Sequence, residues 1–274
     1  MENRTTCSNY DRTTGTNSCP IPASGVPAEV THLPTGISLF GVGFGRQVDG
    51  QPQGDPDKNP FLNLKTIDGA DITSSETFRN GYIITKDGII IGLTERNTAE
   101  MVFTNLKHGI RDHNEYPLDW APVPACIAVD GIPCVNGTAL IDTGIPHSYL
   151  TLPMYQPDGA ITPVHRHTAT SPSTGANVQV LDDGSHVQIR FGNGADEVDD
   201  DYHVVNSTLY EIRDQTPDMV ITTLADPTKR PPFVNTGRHF LRAWEVGFDA
   251  VGGRYGFRRA QKAVLNESFL FPYE

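Results

Sequence analysis

No stretch of this 274-residue chain is apolar for long enough to cross a membrane as a helix. The chain opens MENRTTCSNYDR, with no apolar core of a signal peptide behind the first methionine. Two origins are consistent with that opening: a cytosolic protein, or a chain whose true N-terminus lies upstream of Met1. The second is preferred here for reasons given below. Positive charge is also scarce. Lys and Arg number 21 against 33 Asp and Glu, a net charge of −12 that repels phosphate backbones and sets nucleic acid aside as a partner. Sustained helical periodicity is absent, while 26 glycines and 21 prolines supply turns throughout, so the composition points to an all-β fold. Gly-x-Ser-x-Gly, His-Glu-x-x-His and Walker A patterns do not occur.

What is present reads as short strands and hairpins. Gly81–Thr85 and Gly88–Gly92 flank Lys86-Asp87-Gly88, and Cys126–Val129 and Ile132–Cys134 flank Asp130-Gly131; both are hairpin signals. His186–Phe191 alternates as a half-buried strand does. Residues 245–249 and 254–257 predict a closing hairpin. Residues 1–36 read as loops with one strand near Val30. Asn59-Pro60 predicts a short helix, with Asn59 as its N-cap and Pro60 in its first turn.

Four cysteines fall in two local pairs, Cys7 with Cys19 and Cys126 with Cys134. Two disulfides in an oxidising compartment fit this spacing better than four free thiols in a reducing one. Sequons stand at Asn3, Asn136, Asn206 and Asn266. His165 and His167, with His108 and His113 elsewhere, are read as exposed rather than as metal ligands. The run Asp196–Asp201 lacks calcium-loop spacing and is read as a solvated acidic loop. Gly41-Val42-Gly43-Phe44-Gly45 has the wrong spacing for a dinucleotide site. No metal or other cofactor is expected.

One segment carries chemistry. Ala139-Leu140-Ile141 is an apolar strand that delivers Asp142-Thr143-Gly144 to a turn, and Ser148-x-Leu150-x-x-Pro153 follows. The glycine lets backbone amides approach the carboxylate, and the threonine hydroxyl can lock the turn. The tripeptide alone is a weak signal, but its setting is not. A hairpin, a Gly-containing link, a buried strand, Asp-Thr-Gly and Ser-x-Leu-x-x-Pro resemble, in that order, the surroundings of the second catalytic Asp in pepsin-like aspartic proteases. Phe233-Val234-Asn235-Thr236-Gly237, then Phe240-Leu241-Arg242, Val246-x-Phe248-Asp249 and Arg254-x-Gly256-Phe257, is similar to the family's closing pattern. The match spans residues 119–258. Asn235-Thr236-Gly237, read alternatively as a degenerate second tripeptide, fits better as the element that crosses beneath the catalytic loop.

The front of the family's first lobe has no counterpart: residues 1–110 hold neither a second Asp-Thr-Gly or Asp-Ser-Gly nor a Tyr-bearing flap. Ser38–Gly45 is similar to a first crossing element, and the hairpin at 81–92 to strands after it. The resemblance therefore implies a partial N-terminal lobe at 1–110 and a complete C-terminal lobe at 111–274. It implies an aspartic endopeptidase with Asp142 as one of two catalytic acids, Thr143 and Gly144 shaping the loop, and an extended peptide as substrate. The intact parent is expected to be secreted or vacuolar. With one carboxylate, this chain alone is expected not to turn over as a monomer. Ile145 stands where the family carries a hydroxyl residue that hydrogen-bonds the Asp. The alternative is a non-catalytic pepsin-like binding protein or inhibitor.

Overall fold

The computed structural model describes residues 10–11, 16–17, 43, 56, 59–72, 78–110, 112–171, 175–192, 196–204 and 214–260. The chain divides into two units, 1–40 and 41–274. In the first, β1 (Tyr10–Asp11) pairs antiparallel with β2 (Thr16–Asn17), two strands where only loops were expected. Cys7, Cys19 and Val30 lie outside the described residues.

In the second unit, the expected helix at Asn59 is a turn. Asn59 does cap it, its Oδ1 accepting the Phe61 N–H at 2.9 Å. The turn goes no further because the Asn63 amide donates to the carbonyls of Asn59 and Pro56, at 2.8 and 2.7 Å. A side chain thus takes the acceptor that a helix would give to a backbone N–H. After it come the small hairpin β3 (Thr66–Ile67) and β4 (Ala70–Asp71), the hairpin β5 (Arg79–Ile84) and β6 (Ile89–Leu93), and β7 (Val102–Asn105). The Lys86-Asp87-Gly88 turn forms as expected, closed by Thr85 N–H donating to the Gly88 carbonyl at 2.9 Å.

β8 (Val123–Val129) and β9 (Val135–Leu140) make the next hairpin. Asp130 and Gly131 both have positive φ, 52° and 75°, which suits a tight turn between twisted strands. β9 begins at Val135, so Ile132–Cys134 belong to the turn and not to a strand. The chain continues through β10 (Ser148–Pro153), β11 (Arg166–Thr170), β12 (Asn177–Leu181), β13 (His186–Phe191), β14 (Val198–His203), β15 (Val220–Ala225) and β16 (Phe233–Asn235). A 3₁₀ turn over Arg238–Arg242 leads to the closing hairpin, β17 (Trp244–Asp249) and β18 (Arg254–Arg259). The fold is all-β.

β14 corrects the reading of Asp196–Asp201 as a solvated loop. Val198, Asp200 and Tyr202 point inward along it, and Asp200 is buried because the Trp244 indole N–H donates to its Oδ1 at 2.9 Å. Burial still dominates and pushes the Asp200 carboxyl up to about 6.

Two large sheets result. One has nine strands in the order β11-β12-β15-β10-β16-β9-β8-β13-β14; the other has five, β6-β5-β17-β18-β7. Residues 79–105, expected in a first lobe, therefore pair with 244–259. The sheets share one apolar core, where the Phe191 ring lies 5.1 Å from that of Phe257 and 5.3 Å from that of Phe240. Asp249, fully buried, is matched by the Arg79 and Arg254 guanidinium groups and by the Gly252 N–H. Burial raises its carboxyl, but these donors outweigh burial and hold it below the ordinary range.

Candidate functional site

Topology places Asp142. β16 lies between β9, to which it is parallel, and β10, to which it is antiparallel. The link from β9 to β10 must therefore pass over the end of β16. Asp142 rides on that link, directly after the buried Leu140 and Ile141. Beneath it is Asn235, the last residue of β16, level with Leu140 on one side and Tyr149 on the other.

Among the described residues, one donor is fixed on each carboxylate oxygen. The Gly144 N–H donates to Asp142 Oδ1 at 2.8 Å, and the Asn235 amide donates to Oδ2 at 2.9 Å. Asp142 and Thr143 are half-buried and Gly144 is exposed. The carboxylate is thus held by its own turn and by the neighbouring strand, and Asp142 is half-buried.

The link is tied down along its length. Thr236 N–H donates to the Leu140 carbonyl at 3.1 Å and Arg238 N–H to the Ile145 carbonyl at 2.8 Å. The Ser148 hydroxyl donates to the Asn235 carbonyl at 2.9 Å. Gly237, with φ of 67°, packs so closely that a Cβ on it would lie 2.4 Å from the His147 carbonyl oxygen. Only glycine fits there. A Cβ on Gly43 would lie 3.8 Å from Leu140 Cδ1, which sets this one described residue of the Gly41–Gly45 run beside β9.

Two buried histidines flank the site, His147 at the end of the link and His239 in the 3₁₀ turn after β16. Neither ring nitrogen of His147 or of His239 has a hydrogen-bond partner among the described residues. Asp218 Oδ1 lies 3.3 Å from His239 Nε2, without hydrogen-bond alignment. Burial lowers the His147 imidazole below its ordinary range, helped by His239 and Arg238 and opposed by Asp218.

Among the described residues, no acidic side chain hydrogen-bonds to Asp142; the side chain that does is the Asn235 amide, from the strand beneath. Asn235 is the contact of Asp142 that the sequence pattern did not show. It was assigned to the crossing element, and it does end the strand that crosses beneath the loop, but it also touches the carboxylate. Cys126 and Cys134 form a disulfide with Cα atoms 5.5 Å apart. His165 and His167 are exposed, and His167 Nδ1 lies 2.6 Å from Asp182 Oδ1. The His108 and His113 rings lie 3.6 Å apart beside Trp120. Two cavities, an apolar one of about 60 Å³ behind Ile127 and Leu152 and one of mixed lining of about 250 Å³ beside Arg190 and Asp201, are lined by no residue of the Asp142 link. No described helix is long and apolar enough to cross a membrane.

No family model and no curated protein matches the chain. Among solved structures it is similar to basic 7S globulin from soybean, at 15% identity over 66% of this chain and 50% of that one, with a TM-score of 0.36. It is also similar to an aspartic proteinase from Irpex lacteus, at 11% identity over 74% of this chain and 63% of that one, again with a TM-score of 0.36. The chain thus spans 50% and 63% of the length of these two structures. At such values the likeness carries no argument about the site, and the functional reading rests on the residues themselves.

Proposed function

We propose that this chain carries one catalytic half of an aspartic-type endopeptidase, with Asp142 as the reacting carboxylate. The observation that supports this most is the Asp142 carboxylate itself, half-buried and held by the Gly144 N–H and the Asn235 amide. A carboxylate fixed in this way can accept a proton from a bound water as the water oxygen attacks a peptide carbonyl carbon. The carbonyl oxygen must gain a proton as the tetrahedral intermediate forms, and the amine must gain one as the C–N bond breaks. A second acid facing Asp142 would supply the first of these protons, and Asp142 would give the amine the proton it took from the water. Thr143 and Gly144 shape the loop. The substrate is an extended peptide, laid along the site as an added strand. The Cys126–Cys134 disulfide agrees with a secreted or vacuolar parent. The lobe division at residue 110 remains part of this proposal.

A second reading, a non-catalytic binding or inhibitor protein of the same fold, is favoured by one observation: among the described residues the side chain hydrogen-bonded to Asp142 is an amide, which cannot serve as an acid. Genomic sequence upstream of Met1 separates the two. An in-frame Asp-Thr-Gly or Asp-Ser-Gly there, in a longer chain that cleaves denatured protein at acid pH and loses that cleavage in Asp142→Asn, supports the endopeptidase. Cleavage by the longer chain that survives Asp142→Asn overturns the role of Asp142. Absence of any upstream acid motif supports the binding protein.

A further inference from the structure

The Asn235 amide is locked in one orientation. Its Oδ1 accepts the Gly237 N–H at 3.0 Å, so the branch that faces Asp142 Oδ2 at 2.9 Å is the NH₂. Asn235 is itself 9% exposed, and its backbone carbonyl is held by Ser148. It has no freedom to turn the other branch toward Asp142 without breaking the bond to Gly237. The residue after the tripeptide, Ile145, has an alkyl side chain and offers no substitute donor.

We propose that Asn235 is the positioning residue of the Asp142 site: a permanent donor that fixes the plane of the carboxylate from the neighbouring strand. This role rests on the reading of Asp142 given above, while the pairing on which it depends is tested without substrate. Two hydrogen bonds to the two oxygens hold both the rotation about Cβ–Cγ and the tilt of the group. One lone-pair direction on each oxygen stays free for a water or a ligand.

The pairing has a strict chemical logic. One member must donate and the other accept. Asn235→Asp would set two carboxylates about 3 Å apart, and like charges that close cannot both ionise; they would have to share a proton. Asp142→Asn would oppose two NH₂ groups, because the Oδ1 at that position is needed by Gly144. Making both substitutions together restores one amide and one carboxylate. The amide on the link then donates to the carboxylate at the end of β16, and each Oδ1 still serves its own glycine.

The experiment is thermal unfolding of the full chain from pH 4 to pH 8 in four forms: wild type, Asp142→Asn, Asn235→Asp, and the double exchange. Asn235→Asp is expected to melt roughly 4–8 °C below wild type at pH 7 and to recover most of that by pH 4. Asp142→Asn is expected to lose a few degrees at every pH. The double exchange is expected to return to within about 2 °C of wild type throughout. A loss in Asn235→Asp that is the same at pH 4 and pH 8, or a double exchange whose loss is the sum of the singles, overturns the proposal. Where the singles do not fold, recovery of a cooperative transition in the double exchange supports the pair, and its absence overturns it. If the exchange rescues and no cleavage ever depends on Asp142, the pair stands and the endopeptidase reading falls.

Discussion

Asp142-Thr143-Gly144 leaves the end of β9, and Asn235-Thr236-Gly237 leaves the end of its parallel neighbour β16. In both, the side-chain Oδ1 accepts the N–H of the glycine two residues on, at 2.8 and 3.0 Å. Both runs lead to a buried histidine, His147 and His239. Beyond that they differ. The first is half-exposed, and among the described residues a Cβ on its glycine would meet only Asp142 Oδ1, at 3.3 Å. The second is buried through all three residues, and its glycine has a left-handed φ under the His147 carbonyl. One local plan thus serves two purposes. Where the turn faces outward it presents a carboxylate; where it faces inward it braces the first turn and supplies the donor that the carboxylate needs.

The sharpest way to break this contrast is to give the inner turn a side chain. Gly237→Ala combines a positive φ with a clash against backbone, and is expected to cost about 3 kcal/mol in urea unfolding. A loss under about 1 kcal/mol would show that the inner turn is not the brace.

A smaller effect sets Asp200, on β14, against His147, on the outer link, by pH. Asp200 has its carboxyl raised from 3.8 to about 6, so the stability it contributes is fully present below 3.8 and is lost as pH rises through about 6. Asp200→Asn keeps an acceptor for the Trp244 indole, and is expected to gain about 1–2 kcal/mol at pH 7.5 and nothing below pH 4. His147 acts in the opposite sense. Its imidazole is lowered from 6.5, so its contribution is present above 6.5 and is lost as pH falls through the folded value. In the Asp200→Asn background, stability should therefore decline on acidification below about pH 6.5, and His147→Leu should flatten that decline. An unchanged slope in His147→Leu would remove the buried imidazole from the account.

The outer turn is expected to be the more tolerant. Gly144→Ala, at an exposed position without a positive φ, should cost less than about 1 kcal/mol in the same unfolding assay. A loss equal to that of Gly237→Ala would erase the distinction between the two turns.

Much of this was legible in the chain because it is written locally. The Asp130-Gly131 and Lys86-Asp87-Gly88 turns, the alternation over His186–Phe191 and the closing hairpin each depend on neighbours in sequence. The delivery of Asp142 by an apolar strand is equally local. Asn59 misled, because a cap residue signals a start and cannot show that Asn63 will close the turn on itself. Asp200 misled, because a run of acids looks solvated until Trp244, 44 residues on, supplies an indole N–H. Asn235 was the costliest under-reading. Its meeting with Asp142 follows from the parallel pairing of β9 and β16, and no local pattern announces which strand will lie between two others.

The measurement that bears most directly on the account is cleavage of denatured protein at acid pH by purified 1–274, with and without a peptide-like transition-state inhibitor, beside Asp142→Asn. One carboxylate faced by an amide predicts no inhibitor-sensitive cleavage by the monomer above the Asp142→Asn control. Inhibitor-sensitive cleavage that the substitution abolishes, at a specific activity independent of concentration, would contradict it, since a second acid would then have to lie within the chain itself.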